Sequence, residues 1–274
     1  MKIKRLISLF FFQIGILSAL SSCVYQAAEK KLDEPIQKIT EVQKAPFMVH
    51  EGEKLKFSIR WLGLEVGTAD VMVEKGTKEI RGRKAYHIAV YVKSNSVIDI
   101  AYPVRDEHHS YIDAETFSSL RYEKILKEGR YRADEVMDYD QTNHKATYHS
   151  RRNGSTKQML IPKEVQDQVS GAFWFRVQPM KIGDSVKIPV NADEKNWNLE
   201  IRILQTDHIE MKELGASFNA FQIEPLAKFQ GIFVRRGKMI GWMSMDEKRL
   251  PLLMKTKIPV LGSIYIVLVH YEGW

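Results

Sequence analysis

From residue 47 onward, apolar and polar positions alternate along the chain. Runs rich in Val, Ile, Tyr, Phe and Thr recur about every ten residues between turn residues, the pattern of an antiparallel β protein. Roughly fifteen strands satisfy the criterion. The first are Leu55 to Trp61, Val66 to Glu74, Tyr86 to Lys93 and Val104 to Ile112, with Gly76 to Gly82 read as a turn. A meander follows over Leu120 to Lys127, Tyr131 to Tyr139, Lys145 to Arg152 and Thr156 to Ile161. Its turns are Glu128-Gly129, Asp140 to His144 and Asn153-Gly154, the last a dipeptide that accepts the positive φ angles of a tight hairpin.

Between Asp167 and Met180 the period changes. Val169, Ala172, Phe173, Phe175, Arg176 and Val177 have the spacing of a helix face, and Asp167 is placed to cap it. Strands then resume at Ser185 to Val190, Trp197 to Gln205, Ile209 to Glu213, Phe218 to Leu226, Ile232 to Arg235, Met239 to Met245, Leu250 to Lys257 and Ser263 to Tyr271. Leu199, Ile201 and Ile203 alternate with Asn198, Glu200 and Arg202, so that sheet has one wet face. Ile264 to Val269 is apolar on both sides and belongs in the middle of the sheet, covered twice. The expected fold is all-β and mainly antiparallel: one large curved sheet, a sandwich or half-barrel, with one helix around 167–180. No linker interrupts residues 47–274, which read as a single domain.

The first 46 residues follow other rules. Lys2, Lys4 and Arg5 precede an apolar run from Leu6 to Leu20, too short for a comfortable spanning helix and typical of a secretory signal. Leu20-Ser21-Ser22-Cys23 resembles the bacterial lipobox. That resemblance implies cleavage after residue 22, a diacylglycerol thioether on Cys23 and an acyl chain on the new amino group. Two chains already anchor a protein stably, at about 0.8 kcal/mol per buried methylene. Lipoproteins retained in the inner membrane often carry Asp after the cysteine; here Val24 follows, so the outer membrane is expected, with the body facing the periplasm. Residues 23–46 are polar, hold Pro35 and Pro46, and read as a tether.

Removing Lys2, Lys4 and Arg5 with the signal lowers the formal charge from +7 to +4. Both signs are interspersed, which fits a solvated surface and excludes the clustered stripe of a nucleic-acid binder. Cys23 is the only cysteine, so no intrachain disulfide forms and packing alone holds the fold. No cofactor is expected beyond the acyl chains.

Several short patterns resemble the bacterial envelope family called domain of unknown function 3108. They are Phe47, Gly52-Glu53-x-Leu55-x-Phe57, Trp61-x-Gly63 and Gly67; Val104-x-Asp106 with Ser110 to Asp113; Asp167-x-Val169-Ser170, Phe175-Arg176 and Gly183. The last group is Gly241-Trp242-x-Ser244-x-Asp246, Arg249-x-Pro251 and Gly262. The resemblance implies an exported β domain and no activity. On the residues themselves these positions read as scaffold: glycines at bends or close approaches, Trp61 and Trp242 in the core, and Asp246 with Arg249 as an ion pair across a hairpin turn.

Nucleophile elbow, phosphate loop, dinucleotide fingerprint and His-Glu-x-x-His motifs are all missing from the sequence. The most chemical stretch is Asp106-Glu107-His108-His109-Ser110-Tyr111-Ile112-Asp113. On a strand Asp106, His108 and Ser110 share one face and Glu107, His109 and Tyr111 the other, so the adjacent histidines cannot chelate together. Same-face neighbours stand about 6.5 to 7 Å apart, too far for a hydrogen-bonded triad. The expectation is a polar strand face, with Asp113 opening the next turn. Asp138-x-Asp140-x-x-Asn143 lacks the glycine and distal Glu of a calcium loop and reads as a turn. The favoured function is a non-catalytic module that binds an apolar small molecule or lipid, or docks on an envelope protein. Trp61, Trp174, Trp242, Met243 and Met245 are its candidate lining, with the Phe173-Trp174-Phe175 helix as a lid. The alternative is an envelope hydrolase or metal-assisted enzyme using Asp106, His108 and Asp113.

Overall fold

The computed structural model describes residues 49–229, 232–233, 238–258 and 262–274. The signal segment, Cys23, the tether and Phe47 lie outside the described residues, as do the last two positions of the strand expected at Ile232 to Arg235. The first strands are β1 (Lys54–Trp61), β2 (Leu64–Val73), β3 (Lys78–Ile80) and β4 (Arg83–Ser94), and a short helix, α1 (Ser96–Asp99), leads to β5 (Arg105–Asp113). The meander is β6 (Ser119–Glu128), β7 (Tyr131–Asp140), β8 (Lys145–Ser150) and β9 (Thr156–Leu160), followed by α2 (Ser170–Arg176). The remainder is β10 (Ser185–Ala192), β11 (Lys195–Met211), a 3-10 turn at Lys212–Leu214, β12 (Ala216–Phe229), β13 (Ile232–Phe233), β14 (Lys238–Ser244), β15 (Pro251–Ile258) and β16 (Gly262–Glu272).

All belong to one sheet in the order β10-β11-β12-β14-β15-β16-β1-β2-β4-β5-β6-β7-β8-β9, with β3 beside β4 and β13 beside β12. Strand pairing is antiparallel throughout, and the last strand pairs with the first. The sheet curls until its edges meet. Gln166, just past β9, donates its N–H to Pro189 O of β10 (2.8 Å) and accepts from Asn191 N (2.8 Å), and Asn196 Nδ2 reaches Leu160 O (2.8 Å). A parallel bridge and side chains thus bind the seam where a barrel would carry a ladder.

Leu55, Phe57 and Ile59 of β1 point inward and meet Ile264 and Leu268 of β16, Ala69 of β2 and Val92 of β4 in the largest cluster. Val267, on the opposite face of β16, is also buried, so that strand is covered on both sides as its sequence required. Gly67 lies where β2 meets β4; a Cβ there would come within 2.4 Å of Lys93 O, so only glycine permits the pairing. Helix α2 plugs one end of the curl. Phe173 packs on Val73, Ile88 and Ile112, while Phe175 packs on Ile188, Val190 and Trp197.

Four expectations are corrected. The segment Gly76 to Gly82 holds a short strand, β3, because Lys78–Ile80 pairs back on Arg83–Ala85. The helix is confined to Ser170–Arg176. The strands expected at 197–205 and 209–213 are one: a bulge between Ile203 and Gln205 absorbs the polar break, and Asp207 accepts from Trp242 Nε1 (2.6 Å). Finally, the Arg249 guanidinium lies over the Phe221 ring (5.4 Å) and Asp246 accepts from Ser244 Oγ (2.6 Å), in place of the ion pair across the turn.

Candidate functional site

Alternation along β5 divides its side chains as the sequence demands: Asp106, His108 and Ser110 on one face, Glu107, His109 and Tyr111 on the other. The first face is not wet. Asp106 is 5% exposed, His108 6% and Ser110 0%, because the curl of the sheet brings the approach to α2 and the β10–β11 turn over them. The expected polar strand face is therefore a polar wall inside the barrel.

Each member bonds sideways. Ser110 Oγ donates to Asp167 Oδ2 (2.7 Å), His108 Nδ1 meets the Tyr122 hydroxyl (2.6 Å), and Asp106 Oδ1 accepts from Lys127 N (2.9 Å). None of these bonds runs along the strand, so Asp106, His108 and Ser110 do not form a relay. Asp113, at the far end of β5, accepts from the N–H groups of Glu115 and Thr116 (2.9 Å each) and pairs with Arg83. It opens the turn, as expected, and stands apart from the wall.

The wall continues on β6. Glu128 is 2% exposed and shares a hydrogen bond with Asp106. Burial, then the Asp106 charge, pushes the Glu128 carboxyl up to about 8, and burial raises Asp106 as well. At neutral pH the pair therefore holds one proton between its two carboxyls. Lys124 bonds Glu135 Oε2 (3.0 Å) and Asp193 Oδ1 (3.2 Å); burial works against its charge, but those two carboxylates outweigh it. His108 is driven down to about 3 by burial and by the Lys124 charge, and stays neutral.

These groups lie in one inner row of the register. Leu55 pairs with Val71, Val71 with Val90, Val90 with His108, His108 with Lys124, and Lys124 with Glu135. The row passes from aliphatic to ionic across six strands. Val71 and Val90 remain partly exposed although their same-face neighbours Ala69, Val73, Ile88 and Val92 are buried. Val71 and Val90 pack against the edge of the core clusters, so this level of the inner face keeps some exposure. No single strand carries this signal; it exists only when the register aligns the strands.

The candidate lining from the sequence does not assemble on one surface. Trp61 and Trp242 pack, half-buried, against the largest cluster, with Trp242 on the outer face beside Asp207. Trp174 and Met243 belong to the cluster beneath α2, and Met245 is exposed after β14. Outside the wall, His87 Nε2 lies 3.1 Å from His109 Nδ1, and the His87 ring stacks on Tyr111 at 4.5 Å. Among the described residues no three His, Cys, Asp or Glu side chains group as a metal site. Asp138 pairs with Arg121, and Asp140 accepts from Asn143 N (3.0 Å), so that stretch is the turn expected.

A family model described as a protein of unknown function, DUF3108, matches residues 56–269. The chain belongs to the DUF3108 family. No curated protein matches it. Among solved structures, a β-barrel-like protein of domain of unknown function DUF1849 from Brucella abortus has TM-score 0.56 at 7% identity, covering 82% of this chain and 98% of that one. That likeness is one of fold: a barrel-like sheet. A candidate lipoprotein from Parabacteroides distasonis is more distant, with TM-score 0.37 at 8% identity over 84% of this chain and 99% of that one.

In this DUF3108 chain the positions that carried the resemblance are mostly structural. Asp167 is fully buried and accepts from Val169 N (2.7 Å), Ser170 N (2.8 Å) and the Ser110 and Ser119 hydroxyls, which fastens α2 to β5 and β6. Arg176, at the end of α2, grips Glu53 with two parallel bonds (2.9 and 2.7 Å) and donates to the carbonyls of Lys248 (3.0 Å) and Arg249 (3.1 Å). Sequence reading missed this clamp because its partners stand 123 residues apart.

Proposed function

We propose that this DUF3108 protein is an outer-membrane lipoprotein, held by acyl chains on Cys23 and facing the periplasm, whose barrel-like body binds an amphipathic, mainly apolar ligand without transforming it. The observation that carries the binding reading is the inner row, aliphatic and partly exposed at Val71 and Val90, polar at His108 and ionic at Lys124 and Glu135. Concave sites that are largely apolar with a few converging polar groups are the usual form of a ligand pocket. The anchor reading rests on the lipobox resemblance.

Native mass spectrometry of the protein purified from its own envelope tests both parts. Two masses are expected: an acylated N-terminal peptide beginning at Cys23, and a co-purifying lipid or other apolar molecule that Val90→Trp displaces. A protein that keeps a free Cys23 thiol and carries no ligand sinks the proposal. A hydrolytic reading is favoured by one feature, the carboxyl pair Asp106 and Glu128 with a single proton, the kind of perturbed pair found at acid–base sites. Turnover of an envelope ester or glycoside that disappears in Glu128→Gln would replace binding by catalysis.

A further inference from the structure

Four exposed aliphatic side chains gather at one end of the barrel, while Leu160 (72% exposed) and Ile182 (52%) stand singly elsewhere. Leu62 (71% exposed) and Leu64 (72%) form the β1–β2 turn, and Val97 (70%) and Ile100 (89%) project from α1 and its C-terminal end. Asn95 holds these two elements together, donating N–H to Val66 O (3.0 Å) and bonding Glu65 O through its side chain. On the other side of α1, Gly129 in the β6–β7 turn donates to Pro103 O (2.8 Å), which brings the exposed Tyr131 to the same rim. Helix α2, by contrast, meets β1 at its opposite end, through Glu53. Along an eight-residue strand the two ends are separated by about 26 Å.

The rim is also cationic. Lys93, Arg130 and Arg132 are exposed there, Lys127 is paired with Glu107, and Arg152 reaches the carbonyl of Arg132. Of its acids, Asp99 is held by Arg105 (2.6 Å), Glu107 faces Lys127 (3.5 Å) and the Asp106–Glu128 pair shares a proton, while exposed Glu65 accepts only from Ser58 Oγ (2.7 Å). Exposed aliphatics ringed by Lys and Arg are the composition of a surface that lies in an anionic membrane interface, with the chains in the acyl boundary and the cations among the head groups.

We propose that this end of the barrel docks on an anionic bilayer through Leu62, Leu64, Val97 and Ile100. The inference rests on the envelope reading for the presence of a bilayer. Residues 23–48, at no more than about 3.5 Å each, reach roughly 90 Å, about three times the separation of the two ends. A chain anchored at one end can therefore lay the other on the same membrane or on a facing one.

The test uses the full chain as isolated from cells, carrying Ile100→Cys labelled with an environment-sensitive fluorophore and reconstituted into vesicles. Label stoichiometry reports separately whether Cys23 is free, so loss of the anchor and loss of docking are distinguishable. In phosphatidylglycerol–phosphatidylcholine vesicles the label is expected to shift to the blue and to be quenched by spin-labelled lipid, while a label at Lys75→Cys on the far end stays wet. Leu62→Asp with Leu64→Asp should abolish the shift. Lys93→Gln with Arg130→Gln, or vesicles of phosphatidylcholine alone, should weaken it on the order of tenfold. Unchanged thermal melts confirm that these surface variants are folded. A label that stays wet on anionic vesicles overturns the proposal. So does one that becomes dry without quenching by lipid, because a protein partner or a second copy then covers the rim.

Discussion

The end plugged by α2 and the opposite rim bury charge in different ways. At the plugged end Arg176 and Glu53 meet in two parallel bonds, with carbonyls taking further donors, so that the buried charges are matched in number and in geometry. Toward the opposite rim, Asp106 and Glu128 press two like acids together and keep one proton between them. The first arrangement fixes the plug. The second leaves a group whose charge changes within the physiological range. Equal burial therefore marks scaffold in one place and a responsive wall in the other.

The sharpest way to break the contrast is Arg176→Met. It strands the Glu53 carboxylate, and unfolding in urea should report a loss of about 3–5 kcal/mol. Adding Glu53→Gln should recover part of that loss; a double variant as unstable as the single one would mean the clamp is not an isolated pair.

Next is Glu128→Gln. The folded carboxyl titrates at about 8 against an ordinary value of 4.5, so the folded state holds the extra proton between those limits and stability falls as pH rises through that window. Between pH 5 and 8 the wild type should lose roughly 3–4 kcal/mol relative to Glu128→Gln. Parallel stability curves for the two proteins would show that the pair does not hold the proton.

His108 acts with the opposite sign. Its folded value of about 3 lies below the ordinary 6.5, so the unfolded chain takes up the proton first and stability falls as pH drops below 6.5. Compared with His108→Gln, the wild type should lose roughly 2 kcal/mol between pH 6.5 and 5. The smallest expected effect is at the rim, where Leu62→Asp should leave the melt within about 0.5 kcal/mol of wild type, since the side chain is exposed. A large loss there would mean that the rim is packed in the native state.

Much of the strand pattern was legible, because period-two alternation is a local property of each segment. On β5 it even separated His108 from His109 correctly, and they part to Tyr122 and His87. It did not say which face of β5 is inside. That depended on α2 and on Asp193 arriving from residues far along the chain to cover Asp106, His108 and Ser110. The lining chosen from aromatic and methionine positions failed for the same reason: Trp242 and Met243 are neighbours in sequence and face opposite sides of their strand.

By itself the sequence determined the β character of the described residues, the turns at Asp113, Asp140 and Asn153, the capped helix after Asp167 and the family signature. All of these depend on side chains a few positions apart. Only the tertiary structure decided that one sheet curls until its edges meet, that a helix plugs one end, and that aliphatic and ionic residues from six strands share an inner row. Strand order and register place residues together across more than a hundred positions, and long-range pairing of that kind leaves no mark in the local pattern.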